Sequence, residues 1–463
     1  MLYQIYPRSF ADSNGDGVGD LNGIRGRLAY LESLGVDGIW LTPTFPSPNR
    51  DWGYDVSDYY GVHPELGTLD DLDALVREAG ERGIRIVLDL VPAHSSDAHE
   101  WFVDSRSSRE SPKRSWYIWR DEANEHESVF GGRAWTYDEQ TGQYYHHRFL
   151  AQQPDLNWLN PNVRDAFDDI LSFWFDRGIA GFRIDVVHEL VKEPPDQANL
   201  PEIHDVLRRW RLLTETYDPE RVLLGETWVM ELEQLAAFYG TGSDELHMAF
   251  NFPFAFAGLD AGALSDIVAG SERLLPGDAW PVWTLSNHDI ARFPTRLCDG
   301  DDAKVRCALL ILLALRGTPV LYYGDELGMQ QVEIPADRVL DVHDRDGART
   351  PMPWGGEWND PWLPLGTTTP TVREQEPDPT SLLSFTRELS ALRRVHDALV
   401  TAPYAQLEAA PGVWAWQRGE GTVVAVNLSD DEAPLDFPGR VLLSTAGRDE
   451  AGSLGAWEGV ILG

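Results

Sequence analysis

Apolar positions fall into short blocks separated by longer amphipathic stretches. Leu2–Tyr6, Gly38–Leu41, Ile84–Leu90, the block beginning at Ile179–Phe182, Arg221–Glu226, Leu246–Phe252, Val282–Ser286 and Val320–Tyr323 read as eight strands. They are apolar on most successive positions, as strands covered on both faces of a parallel sheet must be. Between them, Leu21–Leu34, Leu69–Arg82, Val163–Arg177, Ile203–Thr216 and Asp302–Leu315 carry helical spacing, and Leu382–Leu399 reads as a last helix. Strict alternation of this kind predicts an α/β fold of the (β/α)8 TIM-barrel type. A doubly wound sheet is the rival, but no glycine-rich phosphate loop follows the first strand. From His94 to Gln153 the rhythm breaks for too long to be an ordinary loop, which predicts a small domain inserted after strand 3. Gly412–Gln417 and Thr422–Asn427 alternate with period two, so the chain should end in an antiparallel β domain. The expected division is a barrel over 1–93 and 154–399, an insert over 94–153 and a C-terminal β domain over 400–463.

Composition narrows the partners. The formal charge is −37, with Lys113, Lys192 and Lys304 the only lysines, which excludes nucleic acid and anionic membrane as natural partners. No run reaches the ~18 apolar residues of a membrane span. The chain opens Met-Leu-Tyr-Gln-Ile-Tyr, without a basic n-region or cleavage site, and Cys298 and Cys307 are its only cysteines. Together these predict a cytoplasmic protein without a disulfide framework, monomeric or homodimeric.

In a barrel, the C-terminal ends of the strands converge on one mouth. Those ends carry Asp89 and His94 (third), Arg183 and Asp185 (fourth), Glu226 (fifth) and His288 and Asp289 (seventh). Arg183 and Asp185 stand two apart, on one face of a strand, where the guanidinium should depress the carboxylate's pKa and hold it ionised. Carboxylates in this number, with scattered single histidines, suit glycoside chemistry, in which one carboxylate attacks and another protonates the leaving oxygen. Metal-assisted hydrolysis is the rival, but no His-x-His motif follows the first strand. Separately, Asp12, Asn14, Asp16, the Val18 carbonyl and Asp20 match the opening half of an EF-hand loop, with Gly17 at the sharp turn. Gly23 stands where the bidentate Glu would be, so the loop is no EF-hand, yet it predicts a hard-cation site.

Six motifs in order carry a family resemblance: Asp89-Leu-Val-Pro-Ala-His94, Gln153-Pro-Asp-Leu-Asn157, Gly181-Phe-Arg-Ile-Asp185, Gly225-Glu226, Asn287-His288-Asp289 and Arg345-Asp-Gly-Ala-Arg-Thr-Pro-Met-Pro-Trp354. The chain resembles the α-amylase superfamily of glycoside hydrolases, family 13, in its α-glucosidase and oligo-1,6-glucosidase branch. The resemblance implies Asp185 as nucleophile, Glu226 as general acid/base with a raised pKa, and Asp289 as the carboxylate that grips sugar hydroxyls. It further implies that His94 and His288 bond the −1 glucose, that Tyr54 stacks on it, and that Arg345 and Asp51 close the pocket behind it. Asp12, Asn14, Asp16, Val18 and Asp20 resemble the branch's structural Ca2+ loop, and no organic cofactor is implied. The activity implied is an exo-acting, retaining release of glucose from short α-glucosides, with Val186 leaning toward α-1,6 bonds. A transglycosylating relative, such as a sucrose isomerase or glucosyltransferase, would share every catalytic residue. A non-catalytic relative would need a membrane span and can lose the carboxylates.

Overall fold

The computed structural model describes residues 1–192, 201–341, 343–356, 358–450 and 452–463. Eight parallel strands run in the order β7-β8-β1-β2-β3-β4-β5-β6. They are β1 (Leu2–Ile5), β2 (Gly38–Leu41), β3 (Arg85–Leu90), β4 (Gly181–Ile184), β5 (Val222–Gly225), β6 (Met248–Ala249), β7 (Val282–Thr284) and β8 (Thr318–Tyr322). A parallel bridge between Phe250 and Val282 joins the two ends and closes the barrel. The eight-stranded barrel expected from the alternation is therefore present.

Helices form where caps and apolar spacing agree. Leu69–Glu81 starts on a reciprocal capping box between Thr68 and Asp71, and buries Leu72, Leu75 and Ala79. Pro161–Asp176 starts on an Asn160 cap with proline in its first turn, and buries Phe167, Ile170, Leu171 and Trp174. Three expected elements differ. Leu21–Leu34 is two short helices, Leu21–Gly26 and Leu28–Ser33, interrupted at Arg27. The sixth strand shrinks to two residues, because Asn251 caps the helix Phe252–Phe256 that takes over the apolar run. Leu382–Leu399 breaks at His396, whose extended ψ of 85° ends one helix before Asp397–Val400 begins.

After β3 the chain builds a helix, Glu100–Ser105, and a three-stranded antiparallel sheet of Trp119–Arg120, Gln143–His146 and Trp135–Asp138. Beyond the barrel, Tyr404–Leu407, Val413–Arg418, Thr422–Asn427, Glu458–Leu462 and Val441–Ser444 form a five-stranded antiparallel sheet. Among the described residues, no helix is long and apolar enough to cross a membrane. Cys298 and Cys307 are both buried free thiols.

Candidate active site

β4 begins at Gly181, where a side chain would come within 2.2 Å of the Val222 carbonyl oxygen of β5. Only a glycine lets these two strands approach there. On its other side β4 pairs with β3 in a register that sets Arg183 level with Asp89. Arg183 is fully buried. Its Nη1 donates to Asp89 Oδ1 (2.8 Å) and Asp185 Oδ1 (2.7 Å), and its Nη2 meets Glu226 Oε2 at 2.8 Å. Immediately after Asp185 the backbone turns into the left-handed region at Val186 (φ 36°, ψ 52°), a strained choice for a β-branched residue. That turn aims the Val186 N–H at Glu226 Oε2 (2.9 Å), so the two carboxylates are tied through one guanidinium and one amide.

One cation shared three ways corrects the expected electrostatics. Burial raises the Asp185 carboxyl above the ordinary range; Arg183 opposes this, and repulsion from Glu226 and Asp89 adds to it. Asp89 is likewise pushed up to about 7 by burial, against Arg183. Arg183 thus orients Asp185 without depressing its pKa, because a buried guanidinium cannot offset three carboxylates.

Asp289 sits in the opposite environment. Burial works to raise it, yet His288, Arg345 and Arg349 together hold it well below the usual carboxylate range. Arg349 Nη2 donates to Asp289 Oδ1 (3.0 Å) and its Nε to the His288 carbonyl (2.8 Å). Arg345 reaches Asp51 Oδ1 at 2.5 Å and clasps both oxygens of Asp341 at 2.8 Å, with Asp289 Oδ1 at 3.3 Å. Gln153 crosses from the insert to donate to Asp51 Oδ2 at 2.9 Å. The expected Arg345–Asp51 pair is therefore made, and it is braced by Gln153, which opens one of the family motifs, and by Asp341, which the sequence did not single out.

Of the aromatic and imidazole groups expected at the sugar, Tyr54 and His94 line the cavity, whereas His288 is fully buried behind Tyr54 and is not among the lining residues. Tyr54 lies parallel to the His288 ring (2°, 5.3 Å) and its hydroxyl lies 3.2 Å from Asp89 Oδ2. His94 turns Nε2 to the Tyr54 carbonyl at 3.0 Å, and burial lowers its pKa to about 4, so the ring is neutral. Asp51, Tyr54, His94, Asp185, Glu226, Asp289 and Arg345 line one cavity of about 570 Å³, the size of a small-ligand pocket. Phe130 and Phe149 of the insert and Trp228 after β5 form its mouth, and Trp228 packs on Phe252 at 4.4 Å. Glu326 is elsewhere: its Oε1 accepts from Tyr3 (2.8 Å) and Tyr30 (2.6 Å), away from the pocket.

The oxygen-rich loop folds on itself. Asp12 accepts from the N–H groups of Asn14, Gly15 and Gly17, and Asp16 from that of Val18. Asp20 turns inward to cap Leu21–Gly26 through the Gly23 N–H at 2.7 Å. All these donors are hard oxygens, the chemistry calcium takes. Among the described residues, no three acidic, histidine or cysteine side chains converge as a metal-holding group.

A parallel barrel whose mouth gathers buried carboxylates around one arginine defines a class, the barrel glycosidases. Residues 4–402 match the model of the alpha amylase catalytic domain, and residues 405–461 match DUF3459, a domain of unknown function. The chain belongs to the α-amylase family and is a glycoside hydrolase. It is 36% identical to a probable alpha-glucosidase of Rhizobium meliloti strain 1021, covering 95% of this chain and 90% of the relative. It is also 36% identical to the oligo-1,6-glucosidase of Parageobacillus thermoglucosidasius, over 96% and 92%. Among solved structures, the trehalulose synthase MutB of Pseudomonas mesoacidophila MX-45 superposes with a TM-score of 0.93 at 32% identity, covering 100% of this chain and 98% of that one.

Proposed function

We propose that the protein is an exo-acting, retaining α-glucosidase that releases glucose from the non-reducing end of short α-glucosides. The carrying observation is that Asp185, Glu226 and Asp289 line one cavity together with Arg345, which Asp51 and Asp341 hold. On this reading the Arg345–Asp51 pair closes the cavity behind the terminal sugar, so a chain enters by its non-reducing end. Asp185 attacks the anomeric carbon as the bond to the leaving oxygen breaks, and Glu226 delivers its proton to that oxygen. Arg183, donating to Asp185 and meeting Glu226, supports this by orienting both carboxylates toward one cavity. In the second step Glu226 takes a proton from water, whose oxygen displaces Asp185 and returns the sugar with retained configuration. Asp289, fully ionised, grips the hydroxyls of the bound glucose. Asp185→Asn should lower glucose release from p-nitrophenyl α-glucoside by roughly 10³-fold or more with the fold intact by circular dichroism. Release at the wild-type rate would overturn the reading.

The likeness to a trehalulose synthase favours a second reading, transfer of the glucosyl group within sucrose. Incubation with sucrose separates the two: glucose and fructose support hydrolysis, whereas a new disaccharide as main product supports transfer. Val186 supports acceptance of α-1,6 bonds, so isomaltose should be cleaved at least as well as maltose. Calcium belongs to the same proposal, as a stabilising ion on Asp12, Asn14, Asp16, the Val18 carbonyl and Asp20. It takes no part in the chemistry, and chelation should lower the melting temperature without changing the activity that survives at 25 °C.

A further inference from the structure

Gln4 is the one polar side chain of β1, it is fully buried, and the glycosidase chemistry above makes no use of it. Its Nε2 lies 2.8 Å from His288 Nδ1, while its Oε1 is buried without a hydrogen-bond partner among the described residues. A residue kept for volume alone would not carry an orphaned carbonyl, since methionine or leucine fills the same space without one.

The other side of the imidazole settles where one proton sits. His288 Nε2 faces the Asp289 carboxylate at 3.0 Å and the Tyr54 hydroxyl oxygen at 2.5 Å. Two lone pairs cannot face each other at that distance, so Nε2 carries hydrogen and donates, leaving the Tyr54 O–H free to donate to Asp89. Nδ1 then has two possibilities. Bare, it accepts from the Gln4 amide N–H; protonated, it would donate to a reversed amide oxygen and the ring would be an imidazolium.

The surrounding charges decide between them. His288 is fully buried, and it feels Asp289 on its own loop, Arg349 from the loop after β8, Arg183 from β4, and the phenols of Tyr54 and Tyr6. Burial, helped by the two arginines, lowers the imidazole pKa despite Asp289. A bare Nδ1 follows, and the Gln4 amide must present its N–H.

We infer that Gln4 is a positioning residue that holds His288 as the neutral tautomer, protonated on Nε2 alone. Its consequence rests on the glycosidase reading. The oxocarbenium-like transition state brings positive charge to the pocket centre, where an imidazolium beside Asp289 would cancel the negative field that stabilises it. Gln4 keeps that field by offering His288 a donor where a carboxylate or carbonyl would invite a second proton.

The first test needs no substrate. Protein labelled with 15N-histidine, the His288 signal being assigned by its loss in His288→Gln, should give one pyrrole-type and one pyridine-type nitrogen at neutral pH. Two pyrrole-type nitrogens at neutral pH, the imidazolium pattern, would overturn the inference whatever the enzyme's substrate. The second test is Gln4→Glu, with Gln4→Met as a neutral control of similar volume. In Gln4→Glu the acid limb of the kcat profile on p-nitrophenyl α-glucoside should move up by about one pH unit or more. Gln4→Met should lower kcat more than it changes KM, without that shift. If Gln4→Glu and Gln4→Met gave superimposable profiles, Gln4 would be packing and no more. Absence of any turnover in the wild type would sink the glycosidase reading while leaving the nitrogen shifts to judge the tautomer.

Discussion

Arg183 and Arg345 each hold three carboxylates, yet their surroundings make them do opposite things. Arg183 sits among Asp89, Asp185 and Glu226, and burial with mutual repulsion raises Asp185 despite it. Arg345 shares Asp289 with Arg349, and that carboxylate is stripped of its proton. Asp341 clasps Arg345 and is not among the residues lining the cavity, so Asp341→Asn tests the clasp from behind it. It removes one of two charge-assisted bonds at a largely buried arginine, and KM for maltose should rise about tenfold with kcat nearly unchanged. An equal fall in kcat at constant KM would place the effect on chemistry instead. Neither Asp341 nor Gln4 was legible in the sequence. Asp89, Asp185, Glu226 and Asp289 were, because each ends a strand or follows one directly, and strand ends can be counted. Asp341 lies on a long loop after β8, and Gln4 reads as one polar position in an apolar strand. Gln4 acts on a partner 284 residues away, and Asp341 acts on Arg345, whose own partner Asp51 lies 294 residues from it, a proximity that only the closed barrel creates. Even Arg183, seen at once beside Asp185, misled about charge, because its two further carboxylates come from β3 and from the loop after β5.

At the scale of elements, the insert is fastened to the barrel by buried charge. Asp155, at the insert's return, accepts from His146 at 2.6 Å and from the Arg148 N–H at 2.9 Å, and its Oδ1 lies 3.0 Å from Lys192 Nζ. Both members of the Asp155–Lys192 pair are buried, at 0% and 4% side-chain exposure. Removing one charge leaves the other unpaired in a low-dielectric site, a loss of about 3–5 kcal/mol in comparable cases. Lys192→Met should therefore lower the melting temperature and open the insert to limited proteolysis before the barrel unfolds. Retention of wild-type stability would show the pair to be dispensable. The existence of the insert could be read from its broken rhythm, as could the barrel from eight apolar blocks. What could not be read were the places where local chemistry overrides periodicity. Leu246–Phe252 is apolar apart from His247 and Asn251, but Asn251 as cap and Pro253 in the first turn convert its end to helix.

Across the whole molecule, two sets of buried groups pull the pH dependence of stability in opposite directions. Asp89 and Asp325, both raised to about 7 by burial, bind protons more tightly folded than unfolded, so their term strengthens the fold as pH falls through about 7. Buried histidines do the reverse. Burial lowers His94 to about 4 and His99 to about 3, against an unfolded value near 6.5. Between those values the unfolded chain binds the extra proton, so stability is complete above about 6.5 and is lost as pH falls toward 4 and 3. A melting curve of the wild type sums both sets, and only a difference isolates one. His99 suits the purpose because it lies in the insert, packed on Trp101 and Tyr59, and its Nδ1 caps Glu100–Ser105 by accepting the Trp101 N–H. Asparagine can keep that cap. His99→Asn should be less stable than wild type at pH 7, for loss of ring packing, and the gap should close by about 2 kcal/mol on going to pH 5. Urea unfolding of both proteins at the two pH values measures it. A gap that stays constant would mean that His99 takes up its proton in the folded protein as readily as in the unfolded chain, and the acid sensitivity of this fold would then have to come from His94 and other buried groups.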